Sequence, residues 1–407
     1  MKKIICLITF ILLVSGCGQN KPEAKISPGV SDNEIVIGSS AALGGFAGFL
    51  GTQTIHGSLA YINEINSGAG IHGRKIRLIS TDDHYNPAET VTNTQKLIAQ
   101  VGVFALFDYV GTPTTAQVVD IVHKAEIPLL GIFSGAEIFR TPYRPYIFNV
   151  RDSYYAEAES AISYFVDKMN LKRIAVLYQE DTFGVSVLSG VQLALERRDM
   201  RTVATETFAR GEMDVEKAML NIKLSEADVV IMVGTYSPLA KFVKISNDAG
   251  FRPYFHTVSF VGSEAFAKEL IQIQKIKPSD YSKIIVTQVV PDPFLEELPG
   301  VREYRELVKK YFPNDEPNYV ALEGFINAKV LVKALEISGV DLTREKFIEA
   351  LESMRNVDIG IGKEITYSVL GHQGLKGVYY SKLSEDGKFR VFNQVNVVLG
   401  YKDETNP

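Results

Sequence analysis

Tryptophan is absent from this chain of 407 residues, and cysteine occurs only twice, at Cys6 and Cys17. No cysteine follows Cys17, so the body has no disulfide, no thiolate nucleophile and no cysteine metal site. A body without staples must rely on its core. With 46% hydrophobic residues the chain can fill one, over two or three domains of about 100–200 residues each. A basic excess is also lacking: 43 lysines and arginines face 48 acids, a formal net charge of −5. Phosphate contacts need such an excess, which excludes a large nucleic-acid footprint. Outside the N-terminus no apolar run approaches the ~18–20 residues of a membrane-spanning helix. Six histidines stand at 56, 72, 84, 123, 256 and 372, none at metal-ligand spacing on a helix. There is no G-x-S-x-G, Walker loop or H-E-x-x-H, so the motifs support neither an enzyme nor a metal or cofactor site. Gly68, Gly70 and Gly73 match G-x-G-x-x-G, but a helix pattern precedes them and a strand pattern follows. Dinucleotide binding needs the reverse order, so they read as a helix end and a turn.

What is present begins with an address. Met1-Lys2-Lys3 is a short basic start, and Ile4 to Val14 is an apolar run too short to span a bilayer but suited to a signal-peptide core. Val14-Ser15-Gly16-Cys17 follows and resembles the bacterial lipoprotein signal. That resemblance implies cleavage after a signal peptide of residues 1–16 and lipid attachment to Cys17. Residues 17–33 then read as the lipidated cysteine and a polar, flexible tether. Acyl chains on Cys17 would hold the body at a membrane face, in the periplasm or at the cell surface.

The body alternates strand and helix patterns. Strands are expected at Glu34–Ser39, Lys75–Asp82, Val103–Phe107 and Ile127–Ile132, with helices at Thr52–Ser67, Pro87–Gln100 and Thr112–Lys124 between them. After Val150 the alternation resumes, with strands at Arg173–Tyr178, Val203–Phe208, Ala227–Val233, Tyr254–Val258 and Ile284–Val290. A helical region covers Val301–Tyr311, Asn318–Ser338 and Thr343–Ser353, and strands at Val378–Leu383 and Phe389–Leu399 close the chain. Such alternation implies an α/β fold with mostly parallel sheets flanked by helices. Two blocks without a Pro/Gly/Ser linker imply two lobes with a compact hinge.

Four helix starts carry hydroxyls: Thr112-Pro113, Ser134 three residues before Glu137, Ser237-Pro238 and Ser263-Glu264. Each hydroxyl reads as a cap for its own helix. Thr112 and Ser134 have a second reading. They follow successive strands, and ligands of open α/β sheets bind beyond the carboxyl ends of strands, so together they form a candidate anion-binding patch. Tyr109, Phe133, Phe183, Tyr236 and Tyr319 stand near strand ends or helix starts, as core edge or as cleft wall.

At this point a resemblance enters. EIVIGSSAALGG (34–45), NEINSGAGIHGRKIRLISTDD (63–83), YVGTPTTAQ (109–117), RIAVLYQEDTFG (173–184) and ADVVIMVGTYSP (227–238) together resemble the periplasmic solute-binding proteins of the leucine/isoleucine/valine-binding type, which serve ABC transporters. The resemblance implies a type 1 clamshell of two α/β lobes joined by three crossing strands, near Phe148–Arg151, Val286–Val290 and Gly360–Ile365. Lobe one is then 34–150 plus 290–360, and lobe two 151–289 plus 361–407. By the same resemblance Thr112 holds a ligand carboxylate and Phe133, Ser134 and Gly135 bind polar ligand groups. Phe183 and Tyr236 become cleft aromatics, and Tyr319 and Leu50 wall residues. The departure is Ser259, standing where amino-acid binders place an acid for the ligand ammonium; Asp108, Glu137, Asp181 and Asp292 are nearby substitutes. The expected function is a monomeric, membrane-anchored lipoprotein that captures a small organic solute (amino acid, carboxylate or amide-like) and passes it to ABC permease subunits by hinge closure. The alternatives are a sensor presenting the same ligand to a receptor, and a lipid-anchored hydrolase for which no nucleophile–base pair is found.

Overall fold

Alternating patterns build two separate sheets. The computed structural model describes residues 27–395; the expected signal peptide 1–16 and lipidated Cys17 lie outside the described residues. The first block runs β1 (Glu34–Ala41), α1 (Gly48–Ser67), β2 (Lys75–Asp82), α2 (Pro87–Lys96), β3 (Ala105–Phe107), α3 (Thr112–Ala116), α4 (Val119–Lys124), β4 (Leu129–Leu130) and β5 (Ile147–Phe148). Its sheet has the order β2-β1-β3-β4-β5 and is parallel throughout, with β1 and β2 in register from Glu34–Lys75 to Ala41–Asp82. Residues assigned to the tether are tied to this sheet: the Val36 N–H donates to the Gly29 carbonyl at 2.7 Å.

The second block runs α5 (Tyr154–Ile162), β6 (Ile174–Gln179), α6 (Thr182–Glu196), β7 (Ala204–Phe208), α7 (Glu216–Leu224), β8 (Val229–Val233), α8 (Tyr236–Asp248), β9 (Tyr254–Thr257), α9 (Ser263–Lys268) and β10 (Ile284–Gln288). Then come α10 (Pro299–Tyr311), α11 (Tyr319–Ser338), α12 (Arg344–Ser353), the short pair β11 (Val357–Asp358) and β12 (Glu364–Ile365), β13 (Val378–Leu383) and β14 (Phe389–Val395). The second sheet has the order β14-β13-β10-β9-β8-β6-β7. Only the pairings of β13, with β10 and with β14, are antiparallel in it. Strands β8 and β10 are buried along their whole length, as parallel strands covered on both faces must be.

Two departures from the sequence pattern have local causes. The helix expected over Thr112–Lys124 breaks in two, because Thr114 Oγ1 donates to the Val110 and Gly111 carbonyls at 2.6 and 3.0 Å and tightens the first turn. The segment Gly360–Ile365, expected as a crossing, instead folds back: β12 pairs antiparallel with β11, and Gly360 accepts a hydrogen bond from Gly300. The stretch that runs parallel beside the Phe148–Arg151 crossing is His372–Leu375. There the Asn149 N–H donates to the His372 carbonyl and the Leu375 N–H to that of Val150.

Glycine brings α11 back onto the first block. A Cβ at Gly57 of α1 would stand 1.8 Å from the Ala321 carbonyl oxygen, and one at Gly324 of α11 would stand 2.0 Å from that of Thr54. Only bare backbone permits this approach. Ser58 seals it by donating to the Gly324 carbonyl at 2.8 Å. The contact aims the start of α11, with Tyr319 and Glu323, at the second block.

Candidate functional site

Loops following five parallel strands supply the candidate groups, in keeping with ligand sites of open α/β sheets. After β3 and β4 the backbone stays zipped: the Phe133 N–H donates to the Tyr109 carbonyl at 2.8 Å and the Gly111 N–H to that of Phe133 at 3.2 Å. This pairing sets Thr112 Oγ1 and Ser134 Oγ 2.7 Å apart, both buried.

Neither is the helix cap its sequence suggested. The N-cap of α3 is Gly111, at φ 99°, and no side chain caps it. The short turn Glu137–Phe139 starts from Ala136, so the box spacing from Ser134 to Glu137 is not used as a cap. Ser237 and Ser263 are also spent elsewhere, the first on Glu269 at 2.9 Å and the second on Gln288 at 2.6 Å. Gly135 abuts Tyr154: its carbonyl accepts the Tyr154 N–H at 2.7 Å, and a Cβ on it would stand 2.6 Å from the ring.

Aromatic rings from both sheets meet over this hydroxyl pair. Phe260 lies 5.6 Å from Phe133, 4.6 Å from Phe183 and 6.1 Å from Tyr85, ring centre to ring centre, and Tyr154 lies 5.3 Å from Phe183. All five rings are buried. Asp181 fixes Phe183 by capping α6, accepting from the Phe183 and Gly184 N–H groups at 2.9 and 3.1 Å. Leu50 joins the junction from α1, where a Cβ at Gly262 would stand 2.7 Å from its Cδ2.

Tyr236 and Tyr319 stand on the flank. Tyr236 packs edge-on to Phe49 at 6.4 Å and lines a groove of about 850 Å³ with Glu264, Ile271, Phe294 and Lys388. Tyr319 ties the two blocks together: its hydroxyl donates to the Phe389 carbonyl at 3.1 Å, and its N–H to Glu264 at 3.3 Å. Burial pushes the Glu264 carboxyl up to about 8. Tyr109 belongs to the first core, bonded to Thr94 at 2.9 Å.

Ser259 is not a bare replacement for an acid. Its N–H and hydroxyl donate to Glu157 of α5 at 2.8 and 2.9 Å, and the Arg151 guanidinium donates to its oxygen. Thr287 adds a bond to Glu157 at 2.7 Å, and Arg151 Nη2 another at 3.1 Å. Arg151 also faces Glu323 of α11 at 3.4 Å and lies against the rings of Phe133 and Tyr154, 5.2 and 5.6 Å from their centres. Burial opposes its charge, but Glu323 and Glu157 outweigh burial and hold the guanidinium protonated. Burial pushes the Glu323 carboxyl up to about 7 against the pull of Arg151. Burial also raises the Tyr154 hydroxyl to about 12.

Sequence reasoning missed this cluster of Arg151, Glu157 and Glu323, together with Tyr85, Tyr154 and Phe260. The available signal was charge inside apolar pattern: Arg151 ends the first crossing, and Glu323 interrupts an otherwise small and apolar stretch of α11. Of the substitute acids, Asp181 is in the cluster as a cap. Asp108 is consumed by Ser58 and by Asn327 at 2.7 Å, and Asp292 by the Phe294 N–H at 2.9 Å and Arg390. Glu137 is half-buried and lines a separate cavity with Arg140.

The architecture has a known counterpart. A family model described as periplasmic binding protein matches residues 34–388. The chain belongs to that family. This periplasmic binding protein is 23% identical over 357 residues to Leu/Ile/Val-binding protein homolog 7 of Brucella abortus (strain 2308), covering 84% of its own chain and 85% of that protein. A possible leucine/isoleucine/valine-binding protein from Rhodopirellula baltica SH 1 superposes with a TM-score of 0.82 at 30% identity, over 89% of this chain and 96% of that one. A branched chain amino acid ABC transporter protein from Thermus thermophilus with bound valine shares the fold, with a TM-score of 0.80 at 17% identity over 91% and 98% of the two chains. The periplasmic binding protein is thus a two-lobe, type 1 ligand-binding protein of extracytoplasmic location and not an enzyme.

Proposed function

We propose that this periplasmic binding protein captures a small organic solute between its lobes and delivers it to the permease of an ABC importer by hinge closure, from an anchor at lipidated Cys17. Lobe one comprises 34–150 and the helical region after residue 290; lobe two comprises 151–289 and the final strands. With the His372–Leu375 pairing as third crossing, the return to lobe two comes about ten residues later than Gly360–Ile365. The observation that carries the reading is the junction itself: buried hydroxyls of Thr112 and Ser134 from one sheet, covered by Phe183 and Phe260 from the other. Such a place offers apolar area with few oriented polar groups, as small-molecule sites do. A solute that binds only the closed state shifts the hinge by its differential affinity. The names of the relatives, leucine/isoleucine/valine-binding proteins among them, support an amino acid or similar small acid as the solute.

A thermal-shift screen of amino acids, short-chain acids, aromatic acids and amides tests this. A true ligand at ~100-fold excess over its Kd stabilises the protein by about 2.7 kcal/mol. The double variant Thr112→Ala, Ser134→Ala is expected to weaken that ligand about 5- to 150-fold, each lost hydrogen bond being worth about 0.5–1.5 kcal/mol. Unchanged affinity would remove these two residues from the site.

A further inference from the structure

A cavity of about 390 Å³ lies at the crossing, apart from the hydroxyls and rings of the junction: Thr112, Ser134, Phe183 and Phe260 do not line it. Its volume is within the range of small-molecule sites. Three segments wall it: residues 137–147 of the first block, 149–153 on the first crossing and 370–376 on the return. Phe139 and Ile147 are buried and give it an apolar floor. Tyr143 and Leu370 also line it but are 41% and 82% exposed, which puts them at its mouth.

Five charged side chains line this cavity, three cations and two acids. The acids are provided for. Glu137 is opposed by Arg140 and takes a hydrogen bond from Ser153. Asp152 accepts from the Ser153 and Gly377 N–H groups at 2.7 and 2.6 Å, and the Lys363 ammonium acts on it. Glu352, behind the lining, meets His372 at 3.2 Å. Arg144 and Lys376 are left over. Arg144 spends its Nε on the Ile138 carbonyl at 3.2 Å, and among the described residues neither cation has a carboxylate partner.

We propose that this cavity is a second binding site, seated on the crossing, for a small monocarboxylate with an apolar tail. Arg144 and Lys376 take the carboxylate through charge-assisted hydrogen bonds, and Phe139 and Ile147 take the tail. The site has a physical link to the junction. Arg140 and Gln373 both donate to the Arg151 carbonyl, at 3.0 and 2.6 Å, and Arg140 Nε donates to Gln373 Oε1 at 2.8 Å. The side chain of the same Arg151 lies against the rings of Phe133 and Tyr154. An occupant touches both crossings, which are joined by the Asn149, Gly374 and Leu375 N–H groups. It therefore steadies that joint, and it biases the proposed hinge by any difference in its affinity for the two states.

Titration calorimetry of the unmodified protein at neutral pH tests this with benzoate, phenylacetate and 4-methylpentanoate, each beside its uncharged amide. At least one acid should bind about 10-fold or more tightly than its amide, as for gain of a charge-assisted bond. With that acid saturating, hydrogen exchange at the Asn149, Gly374 and Leu375 amides should slow about threefold or more. The double variant Arg144→Gln, Lys376→Gln should weaken the acid about 10-fold or more and remove this protection, with circular dichroism unchanged. Leu370→Glu puts a like charge at the mouth, on an exposed position, and should weaken the acid too. Should the double variant fail to fold, Leu370→Glu decides in its place. Absence of acid binding, an amide that equals its acid, or unchanged exchange at those three amides overturns the proposal. An acid that binds the parent and both variants alike has gone to the junction. That outcome removes the second site and leaves solute capture between the lobes untouched.

Discussion

At the scale of single residues, burial decides which groups hold charge, and His256 shows it without interference from a partner. It lies on β9 with no exposed surface, neither ring nitrogen has a hydrogen-bond partner, and Phe165 packs edge-on at 5.9 Å. Burial alone lowers its pKa from 6.5 to about 3. The folded protein therefore keeps the ring neutral, while the unfolded chain takes up a proton once pH drops below about 6.5. Stability on this account is constant above 6.5 and falls as pH goes from 6.5 to 3, by at most about 5 kcal/mol. The variant His256→Leu removes the proton acceptor from the unfolded chain. Urea unfolding of both proteins at pH 7.5, 5.5 and 4.5 should show the variant gaining on the parent by about 1 kcal/mol or more per pH unit below 6. Parallel acid limbs would mean that His256 is protonated, or already open, in the folded state. The same scale shows why the site was only half legible in sequence. Thr112 and Ser134 were visible because strand ends mark ligand positions, yet their spacing suggested helix caps, and a Gly111 at positive φ and an Ala136 start those turns instead. A cap motif describes neighbours in the chain, whereas the partner that claims Thr112 is Ser134, from the loop of another strand.

At the scale of elements the order of strands and helices was legible, because period-2 and period-3.6 patterns follow from which faces are buried. Lys75–Asp82 and Val378–Leu383 agree in both bounds with the expected strands. Helix ends agree less well. The pattern at Pro87–Gln100 is a regular helix that continues in wider turns from Leu97. The return crossing was misplaced because a hairpin and a crossing strand share one apolar pattern, and only the partner at Asn149–Val150 separates them. Glycine in mid-helix is the other unread signal. Gly57 and Gly324 lower helix propensity, by about 1 kcal/mol each relative to alanine, so alanine there should stabilise if local preference ruled. Close packing of α1 on α11 rules instead. Gly57→Ala places a methyl 1.8 Å from a backbone oxygen that cannot rotate away. The expected outcome is a net loss of about 1–3 kcal/mol in urea unfolding, the helix gain included. Neutral or increased stability would show that α11 can move off α1 at no cost.

At the scale of the whole molecule, glycines stand where the two blocks touch, and the proposed hinge closure gives those contacts a consequence for binding. Gly262, at the start of α9, faces Leu50 and Phe49 of α1, with an added Cβ at 2.7 and 3.3 Å. Gly211 similarly faces Phe46, at 3.2 Å. Leu50 is fully buried, so it has little room to yield. Alanine at 262 therefore penalises the closed state but not an open one, in which the lobes part. It also pays the strain of φ 72°, whether the lobes are open or closed. Gly250 supplies the control, since its φ is 74° and a Cβ there meets nothing within 4 Å. Both variants should lose similar stability without ligand. Only Gly262→Ala should weaken ligand binding, because the affinity of a clamshell scales with the fraction of molecules able to close. A contact penalty of about 1–2 kcal/mol predicts roughly 5–30-fold weaker binding for Gly262→Ala and no change for Gly250→Ala. Small-angle scattering with saturating ligand should still show the compact form for both. Equal affinities in the two variants would mean that Leu50 yields in solution, and that closure is governed by Tyr319, Glu264 and the groove beside them.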